Sequence, residues 1–224
     1  MLMYEINMTD IKETKTQNPL LRKAHEEIVR CQVERFRNSY RQYFEREDTE
    51  KLVAFFFERI YDLEAQDTII HSAINTYSKV KNHLSEHTRD NLDNLIVLNQ
   101  LTHVLDKRMS KLLLKHGWKE GDKLSQEEYF KLFTELGLEA ERREQLASSI
   151  KCMLVSYHIA HRPFNDTLLK AAKGFAIVFG VSSLYNFIEE GYIATRMVKT
   201  DVFDKFIETV TETEMGYLER AFGG

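Results

Sequence analysis

Along most of the chain, apolar side chains recur every three or four positions, the spacing that lines one face of an α-helix. The first run opens at Asn18-Pro19, where Asn can accept orphan amide hydrogens and Pro at the first helical position gives up none. Leu21, Ala24, Ile28, Cys31, Phe36, Tyr40 and Phe44 follow at helical spacing and predict a helix to about Arg46. Asp48 or Thr49 then caps a second helix holding Leu52, Val53, Phe55, Phe56, Phe57, Ile60 and Tyr61. Being apolar almost all round, it belongs at the centre. A third helix is expected from about Ala65 to Leu84, with Ile69, Ile70, Ala73, Ile74, Tyr77 and Val80 as its stripe. A fourth, from about Asp90 to Lys115, carries Leu92, Leu95, Leu98, Leu101, Leu105, Met109 and Leu112, and Gly117 suits its end.

Beyond the loop Gly117 to Lys123, Ser125-Gln126-Glu127-Glu128 has the form of a capping box and opens a short helix ending at Gly137. A sixth helix is expected from Leu138 to His161, stopped by Pro163, which disfavours helix in the residue before it. Asn165 or Asp166 caps a seventh to Phe179, and an eighth spans Ser183 to Val198. Asp201 caps the last, with Phe203, Phe206, Val210, Leu218 and Phe222 on its apolar face. The pattern describes an all-α, single-domain bundle of about eight or nine helices over residues 18–224. Residues 1–17 are polar and aperiodic and read as a flexible N-terminal arm.

Composition agrees with helices. Only 9 Gly and 2 Pro occur in 224 residues, too few for the frequent turns of a sheet protein. A chain of this length can bury roughly 70% of its unfolded surface, so it needs no disulfide or metal staple. Basic and acidic residues interleave to a net charge of -4, which argues against a nucleic-acid partner. Cys31 and Cys152 are far apart and lack CxxC spacing, and the start Met1 to Ile6 lacks a signal-peptide pattern. The expectation is a cytoplasmic protein with reduced thiols. Ala171 to Ile188 is the most apolar stretch, but Lys173, Ser182, Ser183, Gly174 and Gly180 interrupt it. It predicts a buried core helix and no membrane span.

Motifs for helical enzymes are missing from the sequence. No His has Glu three residues before it, as a di-iron bundle requires, and His25-Glu26-Glu27 lacks the second His of a zinc protease. There is no phosphate-binding Gly loop and no setting for a nucleophile elbow. His83 and His87, four apart, read as loop histidines, although they could share a metal ion. His158 and His161 complement the end of the sixth helix. Arg30, Arg37 and Arg41 are diluted by Glu26, Glu27 and Glu34 into a mixed solvated face.

One constellation stands out. The third and fourth helices are joined by a short connection near His87, so they should pack antiparallel. His71 and His103 each lie 16 positions from His87, and Asn75 and Asn99 each lie 12. At about 1.5 Å rise per residue these four reach matching heights, with Asp106 a further turn along. A polar layer of His71, Asn75, Asn99, His103 and Asp106 is therefore expected, either as a satisfied structural network or as a ligand site.

Phe55-Phe56-Phe57-Glu58-Arg59-Ile60-Tyr61 resembles the Phe-Phe-Leu-Glu-x-x-Tyr string of a bacterial family of helical proteins, with Phe57 in place of the usual Leu. The Leu98 to Asp106 rhythm and Leu184 to Tyr192 fit the same family, and the resemblance covers roughly residues 20–222. It implies an all-α cytoplasmic protein and supplies no catalytic residues or cofactor.

The expectation that follows is a non-enzymatic binding or regulatory module, without a cofactor, for a hydrophobic small molecule or a partner protein. Abundant Phe, Tyr and Met line such sites. The alternative is a metal- or haem-binding protein using His71 and His103, or His83 and His87. Gly174 and Gly191 interrupt an apolar segment where close approach is expected, and helices 166–198 are candidates for a two-fold homodimer interface.

Overall fold

The computed structural model describes residues 18–61, 63, 86–163, 165–178 and 182–223. The expected arm and third helix, with His71, Asn75 and His83, lie outside these residues, as does the side chain of His87.

The described helices are α1 (Pro19–Ser39), α2 (Arg41–Phe44), α3 (Glu50–Phe57), α4 (Glu86–Lys115) and α5 (Gln126–Leu136). They continue as α6 (Glu139–Ala160), α7 (Asn165–Val178), α8 (Ser182–Arg196) and α9 (Thr200–Phe222), and a 3-10 turn at Arg59–Tyr61 follows α3. No strand occurs among the described residues, and the fold is an all-α bundle. None of these helices is long and apolar enough to cross a membrane.

Local chemistry explains most boundaries. Asn18 Oδ1 accepts the Leu20 amide at 3.1 Å, with Pro19 in the first turn. Ser125 and Glu128 form the full reciprocal capping box. Gly117 and Gly137 take positive φ of 86° and 69° where helices end. His161 bonds the Tyr157 carbonyl through Nδ1 at 2.9 Å and so closes the last turn of α6.

The structure departs from expectation at four places, two of them helix boundaries and two of them the role or burial of side chains. The first helix breaks at Tyr40, which is fully buried and stacks on Phe57 with centroids 4.7 Å apart. The break turns Tyr43 inward too, where its hydroxyl meets Thr209 at 2.8 Å. Thr49 stands at the N-cap of α3, but its hydroxyl donates to the Tyr43 carbonyl at 2.7 Å instead of capping. Lys199, not Asp201, occupies the N-cap of α9, and Asp201 sits in the first turn. The stretch 171–188 is not one buried core helix: it is divided between α7 and α8, and Ile177 and Ile188 point to solvent.

Two apolar clusters form among the described residues. One gathers Phe36, Tyr40 and Tyr43, the whole inner face of α3, Met153 and Tyr157 of α6, and Phe203, Phe206 and Val210 of α9. The other gathers Ala24, Ile28 and Cys31, Met109 and Leu113 of α4, Tyr129, Leu132 and Phe133 of α5, and Leu218 and Ala221 of α9. Helices α1 and α9 thus run through both. Helix α4 lies against α1, α5 and α6, which positions its polar face.

Candidate functional site

Of the expected polar layer, the structure places Asn99 and His103 half-buried on α4 and Asp106 fully buried one turn on. Their described neighbours come from other helices than the one expected. His103 meets His25 of α1 edge to face, with ring centres 5.5 Å apart. Asp106 faces Arg142 of α6 at 3.9 Å, both side chains being 3% exposed. That gap is too long for a hydrogen bond, and Asp106 Oδ1 is buried without one. Burial, only partly offset by Arg142, pushes the Asp106 carboxyl up to about 6.

Arg142 is held by other groups. It donates to Gln145 at 2.9 Å and to the Met109 sulfur at 3.0 Å, and lies 4.7 Å from the centre of the Phe133 ring. Gln145 donates in turn to Thr102 Oγ1 at 2.8 Å. A second chain of bonds runs from the Tyr129 hydroxyl to Gln32 (2.9 Å) and from the Gln32 amide to the Tyr61 hydroxyl (3.0 Å). Arg35 grips Glu214 with two parallel bonds of 2.9 and 2.8 Å, and Tyr40 donates to the same carboxylate at 2.6 Å. The Arg35 guanidinium also sits between the rings of Phe36 and Tyr217, 4.5 and 4.3 Å from their centres. Burial pushes the Tyr40, Tyr61 and Tyr129 hydroxyls up, so all three stay protonated near neutral pH.

The bonds of Gln32, Arg35, Tyr129, Arg142, Gln145 and Glu214 tie α1, α4, α5, α6 and α9 together, while Asp106 Oδ1 stays outside them. Arg35, Gln32, Arg142, Gln145 and Glu214 were absent from the sequence-derived set. A signal existed: Gln32 lies between Ile28 and Phe36 on a buried stripe, and Arg142 and Gln145 extend the stripe of Met153 and Tyr157. A helical stripe that continues through a charged residue marks a buried polar partner.

The surface offers a different feature. Between α3 and α8 runs an open groove of about 680 Å³, with Ala54, Phe55, Ile193 and Ala194 on its walls. Lys51, Glu58, Arg59, Glu189 and Glu190 are its charged residues. Gly191 lets the two helices close on each other. A Cβ there would lie 2.5 Å from Phe55 Cζ, so only glycine admits the ring. Gly174, the other glycine expected to permit close approach, has no such neighbour among the described residues. Arg59 crosses to Glu190 at 3.0 Å, and Phe55 packs on Phe187 with centroids 5.1 Å apart.

Burial pushes the Cys31 and Cys152 thiols up to about 12 and 11, which makes them poor nucleophiles. The mixed charge on α1 is paired: Arg30 binds Glu27 and Glu34 on the same helix, and Arg37 binds Glu58 at the end of α3. Among the described residues no group of three His, Cys, Asp or Glu is placed to hold a metal ion.

The family model for a domain of unknown function, DUF8198, matches residues 12–224, and the chain belongs to that family. Neither a curated protein nor a solved structure matches it.

Proposed function

We propose that this DUF8198 chain is a non-enzymatic helical binding module whose partner is a second copy of itself, docked through α7 and α8. The observation that carries the reading is where apolar surface is left in water. Of the six large hydrophobic side chains exposed among the described residues, three lie on these two helices, Ile177, Ile188 and Ile193, and a fourth, Met197, directly follows α8. Ile177 and Met197 are 66% and 65% exposed. Such a concentration is what an interface requires and what a solitary surface avoids.

Charge supports a like partner. Beside the Arg59–Glu190 and Arg37–Glu58 pairs, the groove carries Lys51 and Glu189, one charge of each sign to present to a copy of itself. A two-fold pairing can then set acid against base. The groove is also lined by two of the strings that carry the family resemblance, through Phe55, Glu58 and Arg59 and through Asn186, Glu189 and Glu190. The setting we propose is the bacterial cytoplasm, in keeping with two buried free thiols.

Light scattering at tens of micromolar tests the reading. The wild type should give roughly twice the chain mass of 26.4 kDa, and Ile193→Asp with Met197→Asp should give a monomer of unchanged helicity. A monomeric wild type overturns the proposal. So does native mass spectrometry that finds a hydrophobic small molecule retained in place of a second chain.

A further inference from the structure

Two charges in the groove between α3 and α8 are left without an opposite charge among the described residues. Arg59 is taken by Glu190 and Glu58 by Arg37, whereas Lys51 and Glu189 line opposite walls with no ion pair there. Lys51 is exposed in the first turn of α3. Glu189 is held in one orientation: the hydroxyl of Tyr185, a residue buried one turn earlier on α8, donates to its carboxylate at 2.8 Å. Tyr185, Glu189 and Ile193 recur every fourth residue, so the carboxylate and the exposed isoleucine share one stripe of α8. We infer that Lys51 pairs with Glu189 of the partner subunit, and that this crossed pair is the element by which the chain recognises itself. The inference rests on the two-copy reading above.

Two-fold symmetry makes the pair double. An axis lying in the plane of contact and passing midway between the two groups exchanges their positions, so one rotation sets the lysine of each copy against the glutamate of the other. Both bonds form or neither does. An axis through either group would instead face like charge with like, which is strongly unfavourable. Ile193 lies one turn from Glu189 and is covered by the same contact. Water excluded there screens the charges less, which strengthens their attraction. The apolar side chains supply affinity, and the crossed charges fix the register. A partner with similar apolar groups but another arrangement of signs meets an unpaired or opposing charge, so the pair favours a second copy over other apolar surfaces.

Sedimentation equilibrium of the full chain measures the dimer Kd in the wild type and in variants at the two groups. Lys51→Glu and Glu189→Lys should each raise it by roughly tenfold or more, since each turns two attractions into two repulsions. Mixed in equal amounts, the two variants should recover a dimer near wild-type strength, because every contact then sets acid against base. Isotopic labelling of one variant identifies the mixed pair by native mass spectrometry. Lys173→Glu, at the cation 6.0 Å from the Tyr185 ring, should form no such pair with Glu189→Lys. Raising salt from about 0.05 to 0.5 M should weaken the wild-type dimer. A monomeric wild type overturns the crossed pair together with the two-copy reading. A wild-type dimer whose strength neither single variant changes overturns the crossed pair alone. So does a mixed pair formed by Lys173→Glu and not by Lys51→Glu. Rescue in a chain carrying both substitutions, with the mixture still monomeric, overturns it too, because the bond then lies within one chain.

Discussion

Asp106 shows what one buried carboxyl does to the whole stability profile. Its pKa rises from 3.8 unfolded to about 6 folded. A raised carboxyl pKa means that the folded state holds the proton more tightly. The associated stability is complete below pH 3.8 and is lost as pH rises through 6. A shift of this size corresponds to about 3 kcal/mol. The difference in unfolding free energy between Asp106→Asn and wild type should therefore move in favour of the variant by about that amount between pH 4 and pH 7. Urea titrations across the range would measure it, and a difference that stays flat would mean that Asp106 titrates normally. Two glycines give a paired contrast. Gly191→Leu drives atoms into the Phe55 ring and should cost about 1 to 3 kcal/mol. Gly174→Ala stands in open space within α7 and should gain up to about 1 kcal/mol of helix propensity. Equal effects at the two positions would contradict the packing described for α3 and α8.

At the scale of elements, the bond between α1 and α9 rests on Arg35 and Glu214, whose side chains are 13% and 14% exposed. Removing one partner strands the other's charge where water reaches it poorly, so Glu214→Leu should cost about 3 kcal/mol. Arg35→Met in the same chain should restore much of that loss, since an apolar pair of similar volume needs no solvation. Chemical denaturation of the single and double variants gives the coupling, and additive losses would show that the pair does not act as a unit. These elements also show what the sequence could disclose. The stripes, the Asn18 cap, the Ser125 capping box and the glycine stops at 117 and 137 are local devices, and local pattern reveals them. The break at Tyr40 is not local: it depends on Phe57 and Glu214, which are 17 and 174 positions away. The polar layer was half legible. Its residues on α4 face inward as their spacing implies, but periodicity alone cannot say which helix supplies the partner. Among the described residues it is Arg142 of α6 that faces Asp106.

Among the described residues two apolar clusters form the core, and α9 contributes to both: Phe203, Phe206 and Val210 to one, Leu218 and Ala221 to the other. A shared helix has a thermodynamic consequence. Neither cluster can open fully while the other stays closed unless α9 frays along its middle, where Glu214 is clamped by Arg35 and Tyr40. Independent melting of the two halves is thereby suppressed, and the bundle should unfold as one cooperative unit. Native-state hydrogen exchange can read this directly. The amides of Phe206 and Leu218 should share one opening free energy in the wild type, and in Glu214→Leu the two values should separate as the clamp that joins the halves is released.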